Sequence, residues 1–266
     1  METKNVLLAV IFSTIVLVFW STFFEQPNIE QNKEVTKNED MSSPSITEDK
    51  KEIQKELSRS EVINKTGRIK VENENIMGSI SLEGAIIDDI IFKNYKETLD
   101  SETKVSFLNP KNSSKEYFIE TGWASGGNEE VQLPLINTKW EIKGNNKLTP
   151  GSPIFLEWNN GSDLIFTKKI ELDNKFLFKI TQGIKNNSNK SFQFYPYAQI
   201  TRKGKPEGRQ IYILHEGFLG VFGEELKEKD YSDIDKEKFT INTNKGWLGI
   251  TDKYWLTAIV PEKGKD

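Results

Sequence analysis

His215 is the only histidine in the 266 residues and cysteine is absent, which removes thiol nucleophiles, thiolate metal sites and disulfides together. A nucleophile–base pair would have to join His215 to a serine, and no G-x-S-x-G elbow exists to expose one. In "ILHEG" His215 is followed by Glu216; neighbours on an extended segment point to opposite faces, so a hydrogen-bonded structural histidine is the favoured reading. The glycines of "GFLGVFG" (Gly217, Gly220, Gly223) follow neither the dinucleotide nor the P-loop pattern and lack a P-loop lysine, so they are read as turn glycines. The acid pairs Asp88–Asp89 and Glu129–Glu130 would serve acid–base or metal chemistry only if folding brought partners to them. Without EF-hand spacing they are expected on solvated surface. Trp123, Trp158, Tyr195, Tyr197, Trp247 and Trp255 could floor a carbohydrate or peptide groove, but rings of this size supply much of the buried area in a β domain, and the core is the favoured place. No catalytic, cofactor or metal site emerges.

The elements that must position these residues read as strands. In "LIFTKKIELDNKFLFKITQGIKNNSNKSFQFYPYAQI" alternation sets Leu164, Phe166, Ile170 and Leu172 on one face, and after a short Asp-Asn turn Phe176, Phe178, Ile180 and Ile184 on the next. A third strand follows "NNSNK", with Phe192 and Phe194 facing one way and Tyr195 the other, so an antiparallel meander is expected. Further short strands are expected at "RIKVEN", "GSISLEG", "AIIDDIIFKNY", "PIFLEW", "KFTINT", "GWLGIT" and "YWLTAIVP". Helical periodicity is weak, and "EELKEKDYSDIDKEK" reads as a solvated loop or short helix. Regularly spaced short strands predict an all-β antiparallel sandwich.

Composition divides the chain. Residues 6–24, "VLLAVIFSTIVLVFWSTFF", carry no charge, and 19 residues of helix span about 28 Å, close to a bilayer's hydrocarbon core. Val6, Leu7, Leu8, Ile11, Ile15, Leu17 and Phe19 supply apolar surface, and Trp20, Phe23 and Phe24 form an aromatic belt at the lipid–water boundary. The only alanine before residue 85 is Ala9, so no small-residue cleavage site is visible, and an uncleaved signal anchor is favoured over a removed signal peptide. Lys4 against Glu25 and Glu30 puts residues 1–5 in the cytoplasm. All 18 glycines lie at or after Gly67, while residues 25–66 hold no glycine or aromatic group. Residues 25–67 are therefore expected to be a flexible polar linker, with at most a transient helix around Ile53 and Leu57. Residues 68–266 suffice for one domain with a substantial core. With 36 basic against 40 acidic side chains, nucleic acid is not an expected partner.

The order of several motifs carries a resemblance. "KNVLLAVIFSTIVLVFW" before a polar linker, then "LEGAIIDDIIFKNYKETLD", "YFIETGW", "LTPGSPIFLEWNNG", "YPYAQITRKGKP", "YILHEGFLGVFG" and "KGWLGITDKYWLTAIVP", resembles the start of bacterial YidC membrane insertases, most closely the alphaproteobacterial ones. The motif positions are Gly84, Tyr95, Trp123, Tyr195, Pro196, Tyr197, His215, Glu216, Gly217, Gly246, Trp247, Asp252, Tyr254, Trp255 and Pro261. The resemblance implies a non-enzymatic insertase and chaperone of the bacterial inner membrane, with no cofactor. It implies a first transmembrane helix, residues 25–266 in the periplasm with a β-supersandwich over residues 68–266, truncation of that domain at its C-terminal side, and an inserting group of five later helices outside this sequence. Implied partners are nascent inner-membrane proteins, the Sec translocon with its accessory components, and the lipid bilayer. The rival readings are an anchored periplasmic carbohydrate-binding domain of mutarotase-like fold, or an adaptor. One histidine and the lack of heptads weigh against mutarotase chemistry and a coiled-coil adaptor.

The anchor reading predicts that the expressed chain stays in the membrane at full length. N-terminal sequencing checks it: a product starting near residue 24 overturns the reading, and replacing Trp20, Phe23 and Phe24 by a Ser-x-Ala type sequence is expected to create cleavage.

Overall fold

The computed structural model describes Phe12, Thr14 and residues 57–127, 131–206, 215–234 and 238–262. The span expected over residues 6–24 falls, apart from Phe12 and Thr14, outside the described residues, as do Ile53, Glu129 and Glu130. Among the described residues no helix is long and apolar enough to cross a membrane.

After a short helix, α1 (Arg59–Lys65), come β1 (Arg68–Glu72), β2 (Ile76–Ser81), β3 (Ile86–Lys96), β4 (Lys104–Leu108), β5 (Tyr117–Ser125), β6 (Glu141–Lys143), β7 (Lys147–Leu148), β8 (Ile154–Asn159), β9 (Leu164–Leu172), β10 (Phe178–Asn186) and β11 (Phe194–Arg202). Then follow β12 (Gly217–Phe222), β13 (Glu225–Asp230), a four-residue helix α2 (Tyr231–Ile234), β14 (Gly246–Thr251) and β15 (Leu256–Ile259). One sheet runs β11-β5-β3-β2-β1-β7 with β4 paired to β3; a second runs β10-β9-β8-β6; a third runs β13-β12-β14-β15. Every pairing between named strands is antiparallel except β1 with β7. The all-β antiparallel class is as the sequence predicts.

Alternation produces the core. Along β9 the odd positions fall inward, so Leu164, Phe166, Ile170 and Leu172 are buried, and they join Ile69, Val71, Ile80 and Ile87 of the first sheet in one cluster. Each such side chain removed from water contributes roughly 1.5–3 kcal/mol. The two sheets are also tied at one end by Asn73, whose amide donates to the carbonyls of Asp173 (2.9 Å) and Lys175 (2.8 Å) in the β9–β10 turn. The hairpin of β9 and β10 has a regular register from Phe178↔Leu172 to Asn186↔Leu164.

Several expectations need correction. The meander stops after two strands, because β11 leaves β10 and pairs along its whole length with β5 of the other sheet, from Phe194↔Ser125 to Arg202↔Tyr117. The polar turn marks the end of β10 without specifying which sheet the chain enters next. Residues 238–243, "KFTINT", form no strand, whereas the charged Glu225–Asp230 pairs with β12: backbone hydrogen bonding there outweighs the polar side chains. The segment assigned to a linker is ordered from Leu57 onward, since Ser58 and Glu61 form a capping box for α1 and Val62 is buried beneath it.

Asp88 and Asp89 are buried, not solvated, at 2% and 4% exposure. Ser79 pairs with Asp89 and Ile80 with Ile87, so Asp88 is the extra residue of a β-bulge. Each acid meets an arginine there: Arg68 binds Asp88, and Arg59 of α1 binds Asp89. Ser79 joins the pairs, accepting from Arg68 Nε (2.7 Å) and donating to Asp89 (2.6 Å). The network fastens α1 to the sheet. Arg68→Met is expected to cost about 3–5 kcal/mol, because Asp88 would be left buried without its partner, and pairing it with Asp88→Leu is expected to recover most of that loss. Denaturant unfolding of the two variants measures the difference; equal losses would contradict the ion-pair assignment.

Candidate functional site: an apolar cleft between the sheets

The inner faces of the first two sheets separate toward β10 and β11 and leave a cleft of about 770 Å³. Ile87, Ile90 and Ile119 line it from the first sheet, and Phe178 and Ile180 from β10. The third sheet supplies the remaining wall through β15 and the residues that follow it as far as Glu262. Among the described residues β10 and β11 are the outer strands of their sheets, each with one edge beside this opening that no described strand pairs.

Few polar groups face into the cleft, and two of them are engaged with the surrounding strands. The Gln182 amide donates to Gly122 O at 2.8 Å, and Thr257 Oγ1 accepts from the Tyr117 hydroxyl at 2.7 Å. Burial pushes the Tyr117 hydroxyl up to about 12, against the opposing pulls of Thr257 and Arg202, so it remains protonated and donating. Such a surface recognises apolar or extended peptide-like chemistry.

The motif residues divide between this cleft and the joints that hold it. Pro196, Tyr197, Trp255 and Pro261 line it. Trp255 packs at its end against Phe92 in a tilted contact (4.5 Å between ring centres) and edge-on against Tyr95 (4.7 Å). Tyr195 and Tyr254 are exposed, and the Tyr195 hydroxyl accepts from Gln193 at 2.7 Å. Trp123 lies in the core between Trp140 and Phe166. Trp158 packs on the same Phe166.

Asp252 is the joint between the third sheet and the first. It accepts from Arg202 of β11 (2.6 Å) and from the Tyr231 hydroxyl (3.0 Å), and the Arg202 guanidinium lies 4.6 Å from the centre of the Tyr117 ring. Gly217 and Gly246 have φ of 152° and 133°, and each lies where a Cβ would strike the neighbouring strand's backbone, at Lys229 and Val221 respectively. They are tight-contact glycines at the first positions of β12 and β14, and since Gly220 also lies within β12, only Gly223 of the three glycines read as turn residues is in a turn. Trp247 pairs across β14 and β12 with Val221.

His215 is structural, as the sequence suggests. Its Nε2 is 3.0 Å from Phe218 O and its Nδ1 is 3.2 Å from Asp230, so both ring nitrogens are occupied within the β12–β13 hairpin. Glu216 is half-buried beside it. The aromatic residues singled out for a sugar platform thus go in different directions, and the histidine has no ring nitrogen left for a substrate.

Lys168 escaped the sequence reading. It occupies the middle inward position of β9, among Leu164, Phe166, Ile170 and Leu172, at 2% exposure. Counting every second residue, rather than every second apolar residue, would have found it. Its amine donates to Thr121 O (2.7 Å) and Gly84 O (3.3 Å) across the gap between the sheets. Gly84, at φ 76°, is held in a left-handed turn where a Cβ would meet Ile136 O.

Residues 68–266 match the model of the YidC periplasmic domain. The chain is 42% identical over 272 residues to the membrane protein insertase YidC of Pelagibacter ubique, covering 100% of this chain and 48% of that protein. It is 32% identical to the protein of that name from Methylorubrum extorquens (99% and 48% coverage) and 33% identical to that from Sinorhizobium medicae (98% and 47%). The chain therefore spans about half the length of the curated relatives it matches, and these relatives bear the name of an insertase and of no enzyme. The inner membrane and the periplasm follow as the setting of the family's domain. The chain belongs to the YidC family of membrane insertases, and residues 68–266 are its periplasmic domain.

Proposed function

We propose that this chain is the membrane-anchored periplasmic half of a non-enzymatic insertase and chaperone that inserts, folds and helps assemble integral inner-membrane proteins, alone or beside the Sec translocon. The observation that carries the reading is the match of residues 68–266 to the periplasmic domain, preceded in the same chain by a 19-residue uncharged run at residues 6–24. In this reading residues 1–5 are cytoplasmic, residues 6–24 are the first transmembrane helix, and residues 25–266 lie in the periplasm. Insertion itself belongs to a later group of helices, because a polar segment entering hydrocarbon needs hydrogen-bonding partners there, and a β domain outside the bilayer cannot supply them. The domain's part is to steady the complex and present a surface to periplasmic portions of the Sec machinery and of emerging membrane proteins.

The full reading frame that contains this chain is expected to continue beyond Asp266 into five apolar spans and to sustain growth of a bacterium depleted of its own insertase. Protease added to spheroplasts is expected to digest residues 68–266 and spare residues 1–5. A frame lacking those spans, or a failure of a well-expressed full-length protein to restore growth, would contradict the proposal.

A further inference from the structure

Lys168 has no counterpart among the groups that hold the rest of the core together. Its ammonium position is enclosed by elements of both sheets: Thr121 O from β5, Gly84 O from the β2–β3 turn, and the faces of Trp140 and Trp123, whose ring centres lie 4.9 and 5.9 Å from Nζ. Among the described residues it makes no ion pair. Two carbonyls satisfy two N–H donors, which is the full donor count of a neutral amine; a protonated amine has a third, for which the site offers only the indole faces. A cavity of about 10 Å³ lies beside the amine, lined also by Glu120, Tyr197 and Trp140.

The charged groups around it are few. Glu120 on β5 is the one that acts on the amine, favouring its protonated form; Tyr197 of β11 and Lys111 act on Glu120 in turn. The β2–β3 turn and the segment carrying Trp140 contribute a carbonyl and an indole. Burial dominates and lowers the amine to about 7, while burial raises Glu120. Thr121 and Tyr197, which touch this site, also line the apolar cleft. The lysine therefore stands directly behind the cleft wall.

We propose that Lys168 is a proton-sensitive strut between the two sheets, its neutral amine holding β9 to β5 and the β2–β3 turn, and its protonation loosening that contact and with it the wall of the cleft. The periplasmic face of the protein would then respond to acidification without any histidine taking part. The unfolded chain carries this proton up to about pH 10.5, whereas the folded chain releases it near 7. The amine's contribution to stability is therefore fully present above about pH 10.5, declines progressively as pH falls from there, and is gone by about pH 7, below which both states hold the proton.

The test uses the full chain in detergent micelles. Against Lys168→Met, which keeps the length of the side chain and removes the proton, the wild-type folding constant is expected to rise by up to about tenfold per pH unit between 7 and 9. Hydrogen exchange, corrected for its intrinsic pH dependence, is expected to show residues 117–125 and 164–172 losing protection in the wild type between pH 8.5 and 6, and no such loss in Lys168→Met. Glu120→Gln is expected to move the midpoint of the change to lower pH, since the carboxylate favours the protonated amine. Equal pH dependence in wild type and Lys168→Met, or a midpoint unmoved by Glu120→Gln, would overturn the proposal.

Discussion

The inward row of β9 cannot be left facing water, and it cannot be covered by its own sheet. Leu164, Phe166, Ile170 and Leu172 find cover on the opposing sheet, among Ile69, Val71, Ile80, Ile87 and Trp123, and this mutual burial sets the separation of the sheets. Three polar side chains in the interface are satisfied by the opposite sheet. Asn73 reaches two carbonyls of the β9–β10 turn, Gln182 reaches Gly122 O, and Lys168 reaches Thr121 O and Gly84 O. The polar contacts therefore record the register in which the apolar faces meet.

Where the two faces diverge, the same constraint is incompletely met. The cleft, the outer edges of β10 and β11, and exposed apolar groups such as Leu177, Leu256 and Val260 lie in one region. The third sheet partly closes it, held by Asp252 to Arg202 and by Thr257 to Tyr117. Asp252, Trp255 and Pro261 are motif residues, and they prove to be the means by which the third sheet is joined to the sandwich and borders its opening.

Much of this was legible in the sequence because strand alternation is local. The β9–β10 hairpin, the exposed Tyr195 beside the inward Phe194, and the structural role of His215 all follow from residue order and period. What could not be read depends on partners distant in the chain. Asp88 and Asp89 look like a surface pair until a bulge sets them beside arginines 20 and 30 residues away. Lys168 interrupts an apolar row, and only the opposing carbonyls, 47 and 84 residues away, make that interruption tolerable. The route of β11 was invisible for the same reason, since a polar turn specifies a change of direction but not a destination.

The chain enters the domain through α1, fastened to Asp89, and passes at once into β1, which is paired with β2 through five consecutive residues from Arg68↔Ser81 to Glu72↔Met77. A pull transmitted along that strand loads its hydrogen bonds together, in shear, instead of opening them one after another like a zip. The Arg59–Asp89 contact stands ahead of them and takes the first share of any such load. The place where the chain enters the domain is thus also a corner reinforced against a pull along β1.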